Sequence, residues 1–185
     1  ILNIDVRETK NIAVWNSKVK TFEMLKDGQK IGSFYFDLYP RMNKYTHFAC
    51  FPISQYSKVN GKENLPVSAL VCNFPEGTDK TPSLLNHSDV TTLFHEFGHG
   101  LHHLLTRVEE LGVAGINGVE WDAVELPSQF MENFCWEWSV LRHMTAHLDT
   151  GEPLPRDLFD KMLAAKNFQS GLQTLRQIEF SLVDM

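Results

Sequence analysis

The second half of the chain has the clearest pattern of hydrophobic and polar positions. From Ser88 onward, apolar residues recur at steps of three and four, the spacing of one face of an α-helix. They are Val90, Leu93, Phe94, Phe97, Leu101, Leu104 and Leu105. Ser88 is a suitable N-cap residue, and Asp89 suits the positive end of a helix. The pattern therefore predicts a helix that begins near Ser88 and ends before Gly112, Gly115 and Gly118.

Further helices are predicted after these glycines. Apolar residues at helical spacing predict one helix over about residues 125–147. The sequence Gly-Glu-Pro-Leu-Pro at 151–155 makes a break. Residues 156–185 then have the pattern of two more helices.

The first third of the chain has the patterns of β-strands instead. Asp27-Gly28 is a strong turn signal between residues 18–26 and the aromatic-rich residues 31–39, which together predict a β-hairpin. Residues 47–53 and 66–74 can supply further strands. The elements therefore predict an α+β fold, mainly α with a small antiparallel β region.

Composition and charge exclude several classes of function. A chain of 185 residues can form one domain with a sizeable core. Its net charge of −6 argues against nucleic acid or an anionic membrane as the main partner. No segment approaches the roughly 20 apolar residues that a membrane span needs. Three widely spaced cysteines, Cys50, Cys72 and Cys135, favour reduced, mostly buried thiols in a cytoplasmic protein over a disulfide framework.

The strongest chemical signal is His-Glu-Phe-Gly-His at residues 95–99. Positions four apart on a helix face the same way, so His95 and His99 can bind one ion. Neutral imidazole suits zinc, and a catalytic zinc usually has three protein ligands and one position open to water. Glu96 lies on the flank where it can reach that water instead of the metal.

A third ligand must come from elsewhere in the chain. The downstream carboxylates are Glu109, Glu110, Glu120, Asp122, Glu125 and Glu132. Spacing favours Glu125 over Glu132, because Pro127 marks a helix start near Glu125 and the preceding glycines let the chain reverse. From spacing alone, both residues stay open as the ligand.

Other polar residues near Glu125 are candidates for orienting the ligands or for contacting substrate. Ser128, Gln129 and Glu132 lie on the same face of the predicted helix as Glu125. Asp122 is a candidate either for capping this helix or for orienting a ligand.

Several segments resemble the thimet oligopeptidase family of zinc metallopeptidases. They are GSFYFDLYPR (32–41), LFHEFGHGLHH (93–103), WDAVELPSQFMENFCWE (121–137), GEPLP (151–155) and KMLAAKNFQ (161–169). The resemblance implies one zinc ion per chain, held by His95, His99 and Glu125, with Glu96 as the catalytic base. It also implies a zincin-like core that is part of a larger, mostly helical fold.

The resemblance sets the expected organisation and function. We expect a single unit, a fragment of a larger catalytic domain, with a mixed β/α portion at 1–87 and a helical zinc-binding portion at 88–185. The expected activity is hydrolysis of peptide bonds inside short oligopeptides, with Glu96 activating the zinc-held water. The alternatives are a dipeptidyl carboxypeptidase of the same family and a zinc-binding fragment that is inactive without a downstream segment. The expected partners are short peptides and the remainder of the same polypeptide.

Two further features bear on this site. Gly98 and Gly100 lie inside the predicted helix, where each costs about 1 kcal/mol relative to alanine, so another segment or the substrate is expected to pack closely there. Residues 67–73 are a candidate for pairing with a peptide backbone, although a plain buried strand is favoured.

Overall fold

The computed structural model describes residues 2–10 and 12–184, and its contacts divide the chain into two units. The first unit is Ile1–Cys135 and the second is Trp136–Met185. This boundary differs from the change of character expected at residue 88. The expectation of one unit with portions 1–87 and 88–185 stays a prediction.

A mixed β-sheet forms one layer of the first unit. The strands of the described residues are β1 (Asp5–Thr9), β2 (Lys20–Lys26), β3 (Gln29–Asp37), β4 (Ala49–Ser54), β5 (Ser57–Val59), β6 (Lys62–Asn64) and β7 (Val67–Val71). The sheet has the order β1-β2-β3-β7-β4, while β5 and β6 form a separate pair. The predicted hairpin is confirmed as β2 and β3, with Asp27 and Gly28 at φ 51° and 78° in the tight turn.

One prediction about the sheet is wrong. β7 pairs in parallel with β3 and antiparallel with β4, so the β region is mixed and not purely antiparallel. Although β4 comes before β7 in the sequence, β4 lies at the edge of the sheet and β7 lies between β3 and β4. The nearly continuous burial of β7 fits this interior position. Periodicity identifies a strand but not its partner, which is why the pattern missed the parallel pair.

Helix α1 (His87–Leu104) packs on the sheet and carries the core of the unit. The buried cluster contains Met24, Ile31, Phe34, Leu70, Leu101 and Leu104. The N-cap is Asn86, two residues before the predicted Ser88. Its side chain accepts from the Asp89 backbone N–H while the Asp89 carboxylate accepts from the Asn86 N–H, which is a capping box. Asn and Ser cap equally well, so the residue types alone could not choose between them.

The helix predicted over 125–147 is interrupted. The chain forms α2 (Leu126–Glu132), a 3₁₀ turn (Asn133–Trp136) and α3 (Trp138–Met144). The Asn133 amide donates to the carbonyls of Gln129 and Phe130 and so competes with the helical hydrogen bonds there.

The second unit is helical, as predicted. After α3 it contains α4 (Arg156–Lys166) and α5 (Ser170–Asp184). Phe159 is buried and packs against Trp138, with ring centroids 5.3 Å apart. Within the described ranges, none of the helices has the length and apolar character that crossing a bilayer demands.

Candidate metal centre

Two histidines of α1 lie one helical turn apart, on a different face from the residues that contact the sheet. The ring centroids of His95 and His99 are 5.0 Å apart, and the rings are nearly perpendicular. Phe97 lies between them in sequence but packs against Phe34 of the sheet, with centroids 5.6 Å apart. The core contacts of α1 therefore leave both imidazoles available to a second helix.

That second helix is α2, and Gly98 allows its close approach. A Cβ atom added at Gly98 would lie 2.6 Å from both the Pro127 carbonyl oxygen and the Ser128 Cα. Neither backbone atom can move without shifting α2. The expected close packing is thus confirmed at Gly98, and a chain segment provides it. At Gly100 the nearest atom, a side-chain carbon of Leu70, would lie at an ordinary 3.4 Å.

Glu125, directly before α2, completes a convergent group with the two histidines. Its Oε2 lies 3.2 Å from Nε2 of His95 and 3.1 Å from Nε2 of His99. One donor atom from each of the three side chains lies within 4.8 Å of the others. No second group of His, Cys, Asp or Glu converges in this way within residues 2–10 and 12–184. The other candidate carboxylates, including Glu132, lie outside the group.

The three donor atoms fit a zinc ion in chemistry, and the two separations that involve Glu125 also fit it in spacing. Two imidazole nitrogens and one carboxylate oxygen are a known ligand set of catalytic zinc. Ligands about 2.05 Å from a tetrahedral ion are roughly 3.3 Å apart. The separations of 3.1 and 3.2 Å between Oε2 and the two nitrogens are close to that value.

Two residues of α2 contact the side chains of this group through polar atoms. The Ser128 hydroxyl is fully buried and lies 2.8 Å from both the Glu125 carbonyl oxygen and Oε2 of Glu125. Nδ1 of His95 lies 2.6 Å from Oε1 of Glu132. Asp122 and Gln129 are exposed, and in the described part of the chain neither side chain hydrogen-bonds to the group. Their roles stay predictions.

Glu96 lies beside the group but is not part of it. The residue is only 6% exposed. Burial raises the pKa of its carboxyl, the negative charge of Glu125 raises it further, and His95 partly offsets this. Burial lowers the pKa of His99, and Glu125 opposes that shift. A raised carboxyl pKa suits a proton carrier, and a lowered imidazole pKa suits a metal ligand.

Two thiols of the sheet also lie near Glu96. Burial, reinforced by the charge of Glu96, raises the pKa of Cys50 and of Cys72 to about 12. The three cysteines are unpaired and two are fully buried, as predicted. Cys50 belongs to β4, an edge strand that packs against α1. The peptide-pairing candidate at 67–73 is wrong, because β7 is already paired on both sides.

The sequence pattern did not indicate the role of His103. His103 is fully buried, and its Nε2 lies 2.9 Å from the Ser54 carbonyl oxygen. A Cβ atom on Gly115 would lie 2.6 Å from Nδ1 of His103. Because Ser54 ends β4, His103 ties α1 to that strand. The doublet His102-His103 alone gave no signal of this long-range contact.

Similarity to known proteins shows the family of the chain. The model of peptidase family M3 matches residues 1–185. The chain is 52% identical over its whole length to oligopeptidase A of Escherichia coli (strain K12) and 47% identical to that of Haemophilus influenzae, covering 27% of each relative. It is 41% identical over its whole length to the thimet-like oligopeptidase of Dictyostelium discoideum, covering 28% of it. The chain thus spans about a quarter of the length of these curated relatives.

Proposed function

Because the chain belongs to peptidase family M3, we propose that it is the zinc-binding part of an oligopeptidase that hydrolyses peptide bonds in short peptides. The observation that carries this proposal is the convergence of His95, His99 and Glu125 on one point, with the buried Glu96 beside it. Three ligands leave one coordination position for water, as catalytic zinc requires.

Each side chain of the group has a distinct task in this proposal. His95 and His99 would hold the ion through Nε2, and Glu125 would hold it through Oε2. Zinc, when bound, supplies a Lewis acid that polarises a carbonyl and lowers the pKa of water. Ser128 keeps Oε2 of Glu125 in place through its hydroxyl.

Glu96 is the proton carrier. One of its carboxylate oxygens takes a proton from the attacking water and then passes it to the nitrogen of the departing amine. A raised pKa suits both halves of this task, because the group must accept and release a proton near neutral pH. Its low exposure keeps bulk water from competing for the proton.

The edge strand β4 is our candidate for holding the substrate backbone. It is the last strand of the sheet, and it packs against α1, the helix that carries Glu96. A peptide that pairs with an edge strand is bound through its main chain, so many side-chain sequences can be accepted. Pro52 removes one donor from β4, a feature that edge strands tolerate.

The larger assembly is also part of the proposal. We place the chain as a zincin-like core within a larger, mostly helical fold. Its partner is the remainder of that polypeptide, and its compartment is the cytoplasm. The unpaired thiols and the short share of the relatives that it spans support this. That short share also supports the alternative of a zinc-binding fragment that is inactive without the downstream segment. Cleavage of dipeptides from peptide C-termini is a further alternative.

The test is hydrolysis of an internally quenched short peptide by the protein loaded with one equivalent of zinc. Cleavage that a chelator abolishes supports the peptidase, and product masses separate internal cleavage from removal of dipeptides. Zinc uptake without cleavage by the folded protein would favour the inactive fragment. Glu125→Ala is expected to lose the metal, and full zinc retention by this variant would refute the ligand assignment.

A further inference from the structure

Helix α2 brings a carboxylate to each nitrogen of the same imidazole. Glu125 directly precedes the helix and Glu132 is its last residue, seven positions later. Seven residues are close to two helical turns, so both side chains point to the same side. Oε2 of Glu125 lies 3.2 Å from Nε2 of His95, while Oε1 of Glu132 lies 2.6 Å from Nδ1.

The contact with Glu132 determines which nitrogen of His95 can bind a metal. An ionised carboxylate only accepts hydrogen bonds, so Nδ1 carries the proton in this contact. A neutral imidazole with its proton on Nδ1 has its lone pair on Nε2. Nε2 is the atom that faces Glu125, and the same Glu125 oxygen lies 3.1 Å from Nε2 of His99.

We propose that Glu132 is a positioning residue of the metal centre, which holds His95 with its proton on Nδ1 and its Nε2 directed at the ion. The inference rests on the proposed zinc site and adds a residue that acts through a ligand. His99 has no equivalent support, since no side chain or carbonyl accepts from its Nδ1 within the described residues. His95 is therefore the histidine ligand whose Nδ1 is held by a carboxylate.

The charge of Glu132 adds to its geometric effect. A carboxylate behind an imidazole makes the distal nitrogen a stronger electron donor, and loss of such a partner typically lowers metal affinity about 10- to 100-fold. Glu132 and His95 are 34% and 25% exposed as side chains, so solvent only partly screens the contact. The close packing of α2 at Gly98 keeps the two carboxylates at a fixed distance from α1.

The test compares three variants of the full chain by competition for zinc with a chromophoric chelator. Glu132→Ala removes both the acceptor and the charge, and we expect about 10- to 100-fold weaker zinc binding. Glu132→Gln keeps an oxygen that accepts from Nδ1 but removes the charge, so its affinity should lie between those of Glu132→Ala and the unchanged protein. Glu120→Gln removes an exposed carboxylate outside the group and should leave the affinity unchanged.

A second measurement separates positioning from general stability. The Nδ1–H proton resonance of His95, recorded on the folded zinc-saturated protein, should show faster exchange with solvent in Glu132→Ala than in the unchanged protein, with Glu132→Gln between them. Unchanged affinity and unchanged resonances in both variants would overturn the inference while the proposed zinc site stands. Failure of the unchanged protein to bind zinc would overturn both. If Glu132→Ala fails to fold, the isosteric Glu132→Gln decides the question alone.

Discussion

Two clusters of polar side chains in the first unit differ in whether cationic side chains neutralise their carboxylates. At the end of β3, Asp37 is almost fully buried and is neutralised by the protein itself. Arg41 donates to both of its carboxylate oxygens, at 2.6 and 2.8 Å, Lys44 lies 3.0 Å away, and the Trp15 indole donates at 2.8 Å. At the metal centre, Glu125 and Glu132 contact imidazoles, and within the described residues no lysine or arginine pairs with either of them or with Glu96.

The pKa shifts of the two clusters have opposite directions. Burial alone would raise the pKa of Asp37, but the hydrogen bonds from Arg41, Trp15 and Lys44 lower it to about 2. The pKa of Glu96 is raised instead, because burial and Glu125 both disfavour its charge. The Asp37 cluster contains its own cations, whereas the metal centre has acceptors and lone pairs that converge on one point. Under the proposed function an ion from outside would complete the second cluster, whereas the first has no place for one.

The largest expected effect comes from Glu96→Gln. Loss of a proton carrier should reduce peptide hydrolysis by two to four orders of magnitude, since general acid–base catalysis contributes about 10²- to 10⁴-fold. Zinc should remain bound at one ion per chain, because Glu96 lies outside the ligand group. Quenched-peptide assays measure the rate of hydrolysis, and metal analysis of the same samples measures the zinc content. Glu120→Gln is the control. Undiminished turnover in Glu96→Gln would remove Glu96 from the mechanism.

Asp37→Ala should destabilise the fold and leave the metal centre intact. The substitution strands the buried Lys44 ammonium and Arg41, and removing one partner of a buried pair costs about 3–5 kcal/mol. Urea unfolding measures the loss, and zinc titration below the transition measures the site. Asp5→Ala breaks an exposed pair with Arg7 at 3.7 Å and should change the stability little. Equal losses in the two variants would contradict the distinction between the clusters.

Gly98→Ala and Gly100→Ala test whether the contact between α1 and α2 builds the site. The first places a methyl group 2.6 Å from two backbone atoms of α2, so the stability should fall by about 3 kcal/mol and zinc binding should weaken. The second meets a flexible Leu70 side chain at 3.4 Å and should be nearly neutral or slightly stabilising. The measurements are the zinc affinity and the urea unfolding midpoint of both variants. Normal zinc affinity in Gly98→Ala would show that α2 can shift without moving Glu125.

The same contact explains how much of the site was predictable from the sequence. His95, Glu96 and His99 follow from one helix, because local periodicity places them. Glu125 needed the resemblance to a family, since spacing left Glu132 open. The contact of Glu132 with Nδ1 of His95 depends on the distance between two helices, which a Gly98 to Pro127 contact sets across 29 residues of sequence.

The fold shows a similar limit. The β2–β3 hairpin, α1, α4 and α5 were predicted, because each has a local signal in turns or periodicity. The parallel β3–β7 pair and the buried His103 were not, because both depend on where β4 lies. Non-local pairing is decided by the burial of whole surfaces, which a single stretch of residues does not encode.

The smallest effect is the pH dependence of the Asp37 cluster, which tests directly whether cationic side chains keep Asp37 ionised. The pKa of Asp37 falls from its ordinary value of 3.8 in the unfolded chain to about 2 in the folded one. A lowered folded pKa stabilises the protein above pH 4, and this contribution, about 2 kcal/mol, is lost as the pH falls through 2. The measurement is the difference in unfolding free energy between the unchanged protein and Asp37→Asn, without metal. In this difference the contributions of the other carboxylates to the pH dependence cancel. That difference should shrink between pH 5 and pH 2 because the amide of the variant does not titrate, and a constant difference would mean that Asp37 is not held ionised by Arg41 and Lys44.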